Sequence, residues 1–153
     1  MPDYRKQPKE ETGLHVLVLA QNMTDEVYKL SHKRVTTINE QGVSTKEALF
    51  SKRVYWDSVQ PLLRLCDDFL DMIREANVLP TDMPETMAIR RVRVYEALGA
   101  AKQIAGRVND IQRRNNILED HFNGWARSYN IMYPALQAWV SSHRSDYKEK
   151  KKK

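Results

Sequence analysis

The stretch from Glu85 to Arg114 constrains this chain more than any other. Val94, Leu98, Ala101, Ala105 and Val108 recur there at steps of 4, 3, 4 and 3, which at about 100° per residue places them on one stripe of a helix. That stripe must face a core. Beside it, Arg91, Lys102 and Arg113 recur at intervals of eleven residues, with Tyr95 and Asn109 between them. Eleven residues are close to three full turns, so the three cations line one flank of the helix. A helix of this size is about 40 Å long, and a basic flank of that length can track several phosphates of a nucleic-acid backbone. Ordinary solvation of an outward face accounts for the same pattern equally well.

Three further stretches repeat the helical period. The first comprises Val16, Ala20, Met23, Val27 and Leu30, in a helix from Leu14 to about Lys33 or Val35. Leu17 and Leu19 fall off its stripe; such extra apolar surface suits a subunit interface or the underside of a long loop. The second comprises Trp56, Val59, Leu63, Cys66, Leu70 and Ile73. Pro61 lies inside it, lacks an amide hydrogen, and predicts a kink or an effective helix start there. Phe122, Trp125, Tyr129, Met132, Leu136 and Trp139 form the last and most aromatic stripe, with Pro134 expected to bend the helix.

Between the first two helices lies TTINEQGVSTKEALF, residues 36–50, with Gly42 central. Ser44 followed by Glu47 spells a capping box and predicts a short extra turn of helix. Asp82 with Glu85, and Asn116 with Glu119, spell the starts of the third and fourth helices, with Pro84 in the first turn of the third. The expected fold is an all-α, antiparallel up-down four-helix bundle over residues 13–147, with a flexible arm at 1–12 and a disordered lysine tail at 148–153. Its core should include Val27, Leu63, Cys66, Leu70, Leu98, Val108, Trp125 and Trp139.

At 153 residues the chain fits one domain. Its single cysteine, Cys66, allows no intrachain disulfide and reads as a small buried hydrophobe. The opening MPDYRKQPKEET is no basic-then-apolar leader, and no window reaches about 18 unbroken apolar residues, so a cytoplasmic protein without a membrane partner is expected. Charge is unevenly distributed. Residues 1–85 hold 11 basic and 14 acidic side chains (net −3), residues 86–116 hold 7 and 2 (+5), and residues 117–153 hold 7 and 4 (+3).

Catalytic spellings are missing. The chain has no Gly-rich phosphate loop, zinc-type Cys/His set, HExxH or nucleophile elbow. His15, His32, His121 and His143 are scattered, and the strip Arg64, Asp67, Asp68, Asp71, Glu75 has no histidine at metal-ligand spacing. A solvated or partner-facing strip is the simpler reading. No enzyme activity, cofactor, metal or small-molecule substrate is expected.

Four short runs carry a resemblance: EANVLP after the second helix, RRVRVYEAL opening the third, FNGWARSY in the fourth and AWVSSHRSDY closing it. They resemble the accessory variability determinant (Avd) family of diversity-generating retroelements, four-helix-bundle proteins related to those encoded in ribosomal intervening sequences. The likeness extends from Leu14 to Tyr147. It implies a non-enzymatic, barrel-like homopentamer with a positively charged surface that binds the retroelement's reverse transcriptase and template RNA and supports mutagenic complementary-DNA synthesis (mutagenic retrohoming). Complementary DNA is left open as a further partner. The chain departs from the pattern in its longer segment between the first two helices, in Pro61 and Pro134, and in its lysine tail.

Taken together, the basic flank and the resemblance put nucleic-acid and partner binding on Arg91, Lys102 and Arg113, helped by Arg107, Arg114 and the tail lysines Lys150, Lys151, Lys152 and Lys153. The rival expectation is a protein-protein adaptor or structural bundle of a phage or mobile element that binds no nucleic acid. Apolar stripes alone suit both.

Overall fold

The computed structural model describes residues 9–151, with side chains described from Thr12 to Arg144. Helix α1 (Lys9–Ser31) leads into a hairpin of β1 (Arg34–Ile38) and β2 (Ser44–Ala48). A single turn, α2 (Lys52–Val54), and a π-helical turn (Tyr55–Val59) then enter α3 (Gln60–Val78). α4 (Pro84–Asn115), a tight 3-10 turn (Glu119–Phe122) and α5 (Asn123–Lys151) complete the order. Each long helix packs mainly on two others: α1 on α3 and α5, α4 on α3 and α5. Four apolar faces therefore close on one core, and the chain is an all-α helical bundle with one small hairpin.

The core follows the predicted stripes, with shifts of phase on α4 and at the entry to α3. Val27, Cys66, Leu70, Val108, Trp125 and Trp139 are buried, whereas Leu63 and Leu98 are half-buried at its edge. On α4 the buried line is Val94, Ala97, Ala101, Ile104 and Val108. Alanines hold its centre, and small residues there let neighbouring helices approach closely; the bulkier Leu98 of the predicted stripe flanks them. Leu17 and Leu19, expected as surplus apolar surface, also pack half-buried against the core. The exposed aliphatic residues of α1 are instead Leu14 and Val18, one turn apart, with Tyr28 exposed nearer its end.

Helix boundaries depart from expectation at both ends of the chain. α1 begins at Lys9, inside the expected arm, and Thr12 and Gly13 are already buried; residues 1–8 lie outside the described residues. Gly13 is needed by a close approach, because a β-carbon there would overlap the Asn77 side chain, whose Nδ2 donates to the Gly13 carbonyl at 3.0 Å. α5 is helical backbone as far as Lys151, within the segment expected as a lysine tail. Lys152 and Lys153, and the side chains of Lys150 and Lys151, lie outside the described residues.

The segment after α1 is a hairpin rather than a loop with an extra helical turn. Val35, Thr36, Thr37 and Ile38 form a β-favouring run, paired antiparallel from Arg34↔Ala48 to Ile38↔Ser44. Asn39 Oδ1 accepts from the amides of Gln41 (3.0 Å) and Val43 (2.9 Å), and Gly42 supplies the positive φ of 76° that the reversal requires. Ser44 and Glu47, which spell a capping box, thus lie on an exposed strand.

At Pro61 the helix restarts. Gln60 donates its amide to Tyr55 across the π turn, directly before the residue whose missing N–H would have paired with the Asp57 carbonyl. The wider turn re-phases the helix, and Trp56, expected on the core stripe, is 59% exposed. Pro84 opens α4 as predicted, but Met83, not Asp82, occupies the cap position. The Thr86 hydroxyl donates to the carbonyls of Pro80 (2.9 Å) and Met83 (3.0 Å) and ties that turn instead. Asn116 adopts a left-handed conformation (φ 52°) and closes α4 rather than capping the next helix.

Candidate nucleic-acid interface

The orientation of the basic helix is set by an arginine the stripe conceals. Four residues before Val94, on the same line, stands Arg90, which is fully buried. Its Nε donates to His143 Nε2 at 3.0 Å, and its Nη1 donates to the carbonyls of Ala76 (2.6 Å) and Leu79 (3.1 Å) at the end of α3. Helix C-terminal carbonyls lack intrahelical donors and carry partial negative charge, so a guanidinium satisfies both needs. His143 Nδ1 donates in turn to the Trp139 carbonyl at 2.8 Å. Accepting at Nε2 while donating at Nδ1, the imidazole is neutral and its tautomer is fixed. The guanidinium also lies 5.8 Å from the Trp139 ring centroid. One side chain of α4 thereby joins α3 and α5 and fixes the rotation of α4 about its axis.

With that rotation fixed, the eleven-residue ruler faces outward along the α5 side. Lys102 and Arg113 are exposed, and Arg113 reaches Asp110 one turn away at 3.4 Å. Arg91 is half-buried and has a contact of its own. Tyr95, between them on the helix, is 36% exposed. It accepts a hydrogen bond from Arg144 Nε of α5, whose guanidinium sits 5.2 Å from the ring centroid. One face of Tyr95 is therefore taken by a cation, not open for base stacking. Arg144 joins the ruler's flank across 49 residues of sequence, and no spacing rule would have found it.

Arg107 and Arg114 are exposed but lie elsewhere. At about 100° per residue they sit about 100° to 160° around α4 from the ruler, toward the edge where Arg93 meets Glu75 of α3 at 3.1 Å. Arg93 also pairs with Glu96 at 2.9 Å; the hydrogen bond to Glu96, then the Glu96 and Glu75 charges, raise its pKa. The predicted cations thus form two flanks of one exposed arc. The acidic residues Asp67, Asp68, Asp71 and Glu75 are exposed on α3, with Glu75 turned to Arg93 of α4.

Among the described residues no group of three or more His, Cys, Asp or Glu side chains is placed to hold a metal, and no helix is long and apolar enough to cross a membrane. Cys66 is buried, and desolvation, then the Asp67 charge, push its thiol up to about 12. It is a packing residue in its neutral form. No family model, curated protein or solved structure matches this chain.

Proposed function

We propose that this chain is a non-enzymatic accessory protein of the accessory variability determinant kind, which holds template RNA beside a reverse transcriptase during mutagenic complementary-DNA synthesis. The observation that carries the reading is the outward flank of Lys102, Arg113 and Arg144, with Arg91 at its half-buried end. Cations on a rigid helix neutralise phosphates without reading sequence, which suits a scaffold for a structured RNA. The family words EANVLP, RRVRVYEAL, FNGWARSY and AWVSSHRSDY support the same assignment. In this reading the bundle is antiparallel and up-down. Asn77 near the end of α3 bonding Gly13 near the start of α1, and Arg90 near the start of α4 bonding His143 near the end of α5, support that topology.

The assembly in this reading is a barrel-like homopentamer. Exposed Leu14 and Val18 on α1, with Ile89 and Val92 on α4, supply the apolar surface that closed rings bury. The same surface favours the adaptor alternative, in which the bundle binds proteins but no nucleic acid. A salt titration of structured-RNA binding by the full chain separates the two. The scaffold predicts affinity that falls steeply with salt, and a slope lowered by about one unit for each of Lys102→Ala and Arg113→Ala. No detectable RNA binding at low salt, with or without the polymerase, leaves the adaptor.

A further inference from the structure

A cleft of about 460 Å³ opens between α1 and α3, on the side of the bundle formed by the two helices that precede the basic pair. Thr24, Asp25, Tyr28 and His32 line it from α1, Tyr55 from the π turn, and Gln60, Leu63, Arg64 and Asp67 from α3. Its wall is tied by a chain of hydrogen bonds. Gln60 Nε2 donates to Tyr55 Oη at 3.0 Å, Tyr55 Oη and His32 Nε2 share a hydrogen bond at 3.2 Å, and His32 Nδ1 donates to the Tyr28 carbonyl at 3.0 Å. The rings follow suit: Tyr28 to His32 at 4.4 Å and His32 to Tyr55 at 5.5 Å between centroids. Tyr55 and Gln60 are the two ends of the π turn, so the turn that accommodates Pro61 also builds this wall.

We propose that this cleft seats an arginine side chain of a protein partner. Asp25 and Asp67 lie on its two helices and form no ion pair among the described residues. Two carboxylates, Asp25 and Asp67, stand against one guanidinium, Arg64, so the carboxylate and guanidinium charges of the lining sum to a single negative charge. A nucleic-acid phosphate is repelled there. A guanidinium fits on two counts: its flat face stacks on the ordered tyrosine wall, and its forked donors match carboxylates. Arginine and tyrosine recur together where protein interfaces concentrate binding energy. The inference goes beyond the proposed function, giving the protein partner a face of its own across the core from the RNA-facing flank.

The test uses the full chain with no RNA or polymerase, so it succeeds or fails independently of that function. A blocked Gly-Arg-Gly peptide is titrated while the aromatic resonances of Tyr28, Tyr55 and Trp56 are followed by NMR. Saturable shifts at Tyr28 and Tyr55 are expected, weakened about tenfold by Asp25→Asn or Asp67→Asn, with Asp68→Asn, outside the lining, unchanged. Absence of saturable shifts overturns the proposal. So do an equal response to the Gly-Lys-Gly peptide, an equal loss in Asp68→Asn, or free guanidinium binding as tightly as the peptide.

Discussion

Arg90 and Lys102 stand twelve residues apart on one helix and do opposite things. Arg90 is fully buried, its donors spent on His143 and on the last carbonyls of α3, while Lys102 is exposed with its charge facing solvent. Burying a charge is tolerable only where geometry returns its lost hydration as hydrogen bonds, so the closed end of the bundle is fixed and specialised. An exposed cation carries no such constraint and is available to a partner. The first region decides which way α4 faces; the second uses that orientation.

Breaking the closed end should have the largest effect. Arg90→Met strands His143 Nε2 and the Leu79 carbonyl, removes the stronger donor from the Ala76 carbonyl, and is expected to destabilise the fold by about 3 to 5 kcal/mol in urea or thermal melts. Lys102→Met should change stability by no more than about 0.5 kcal/mol. Equal effects would erase the distinction between the two regions.

A smaller loss is expected where α1 meets α3 at the same end. Gly13→Ala forces the Asn77 side chain aside and removes its bond to the Gly13 carbonyl, at about 1 to 3 kcal/mol. A neutral result in the same melts would mean the close approach relaxes freely.

The core provides a pH-dependent comparison. Cys66 ionises less readily in the fold (about 12) than its ordinary value of 9.0. Its contribution is therefore complete below the unfolded pKa and is lost as pH rises toward the folded one, amounting to about 1 kcal/mol near pH 10. Urea melts should show this decline in the native protein and a shallower one in Cys66→Val. Identical slopes would refute the burial of the thiol.

The smallest effect belongs to the α3 edge. Arg93 and Glu75 are 41% and 57% exposed, and a double-mutant cycle should return only a weak coupling that salt screens away. A much larger coupling would make that edge part of the fixed framework.

The helices were legible because burial imposes a period on sequence, and Trp125, Met132, Leu136 and Trp139 kept it. Arg90 was hidden because a charged residue on an apolar line reads as polar until its acceptors, which come from two other helices, are known. The hairpin had a signal in Val35, Thr36, Thr37 and Ile38, but the cap-like spacing of Ser44 and Glu47 pointed to a helix. At the candidate interface the angles among Arg91, Lys102 and Arg113 follow from helix geometry alone. Which neighbour they face, and the addition of Arg144, depend on tertiary packing that spacing cannot encode. The separation of Arg107 and Arg114 from the ruler was open to the same arithmetic.

The central claim is that the ruler flank engages RNA and the reverse transcriptase, and charge reversal tests it most directly. A triple variant, Arg91→Glu, Lys102→Glu and Arg113→Glu, is first matched to the native protein for helicity and oligomeric state; the Lys102, Arg113 double variant serves if half-buried Arg91 does not tolerate reversal. The measurement is complementary-DNA synthesis with RNA and polymerase binding read in parallel, beside an Arg107→Glu, Arg114→Glu variant on the other flank. The expected result is loss of RNA binding and synthesis in the ruler variant and a weaker effect in its counterpart. Unaltered RNA binding, polymerase binding and synthesis in the ruler variant would contradict the account.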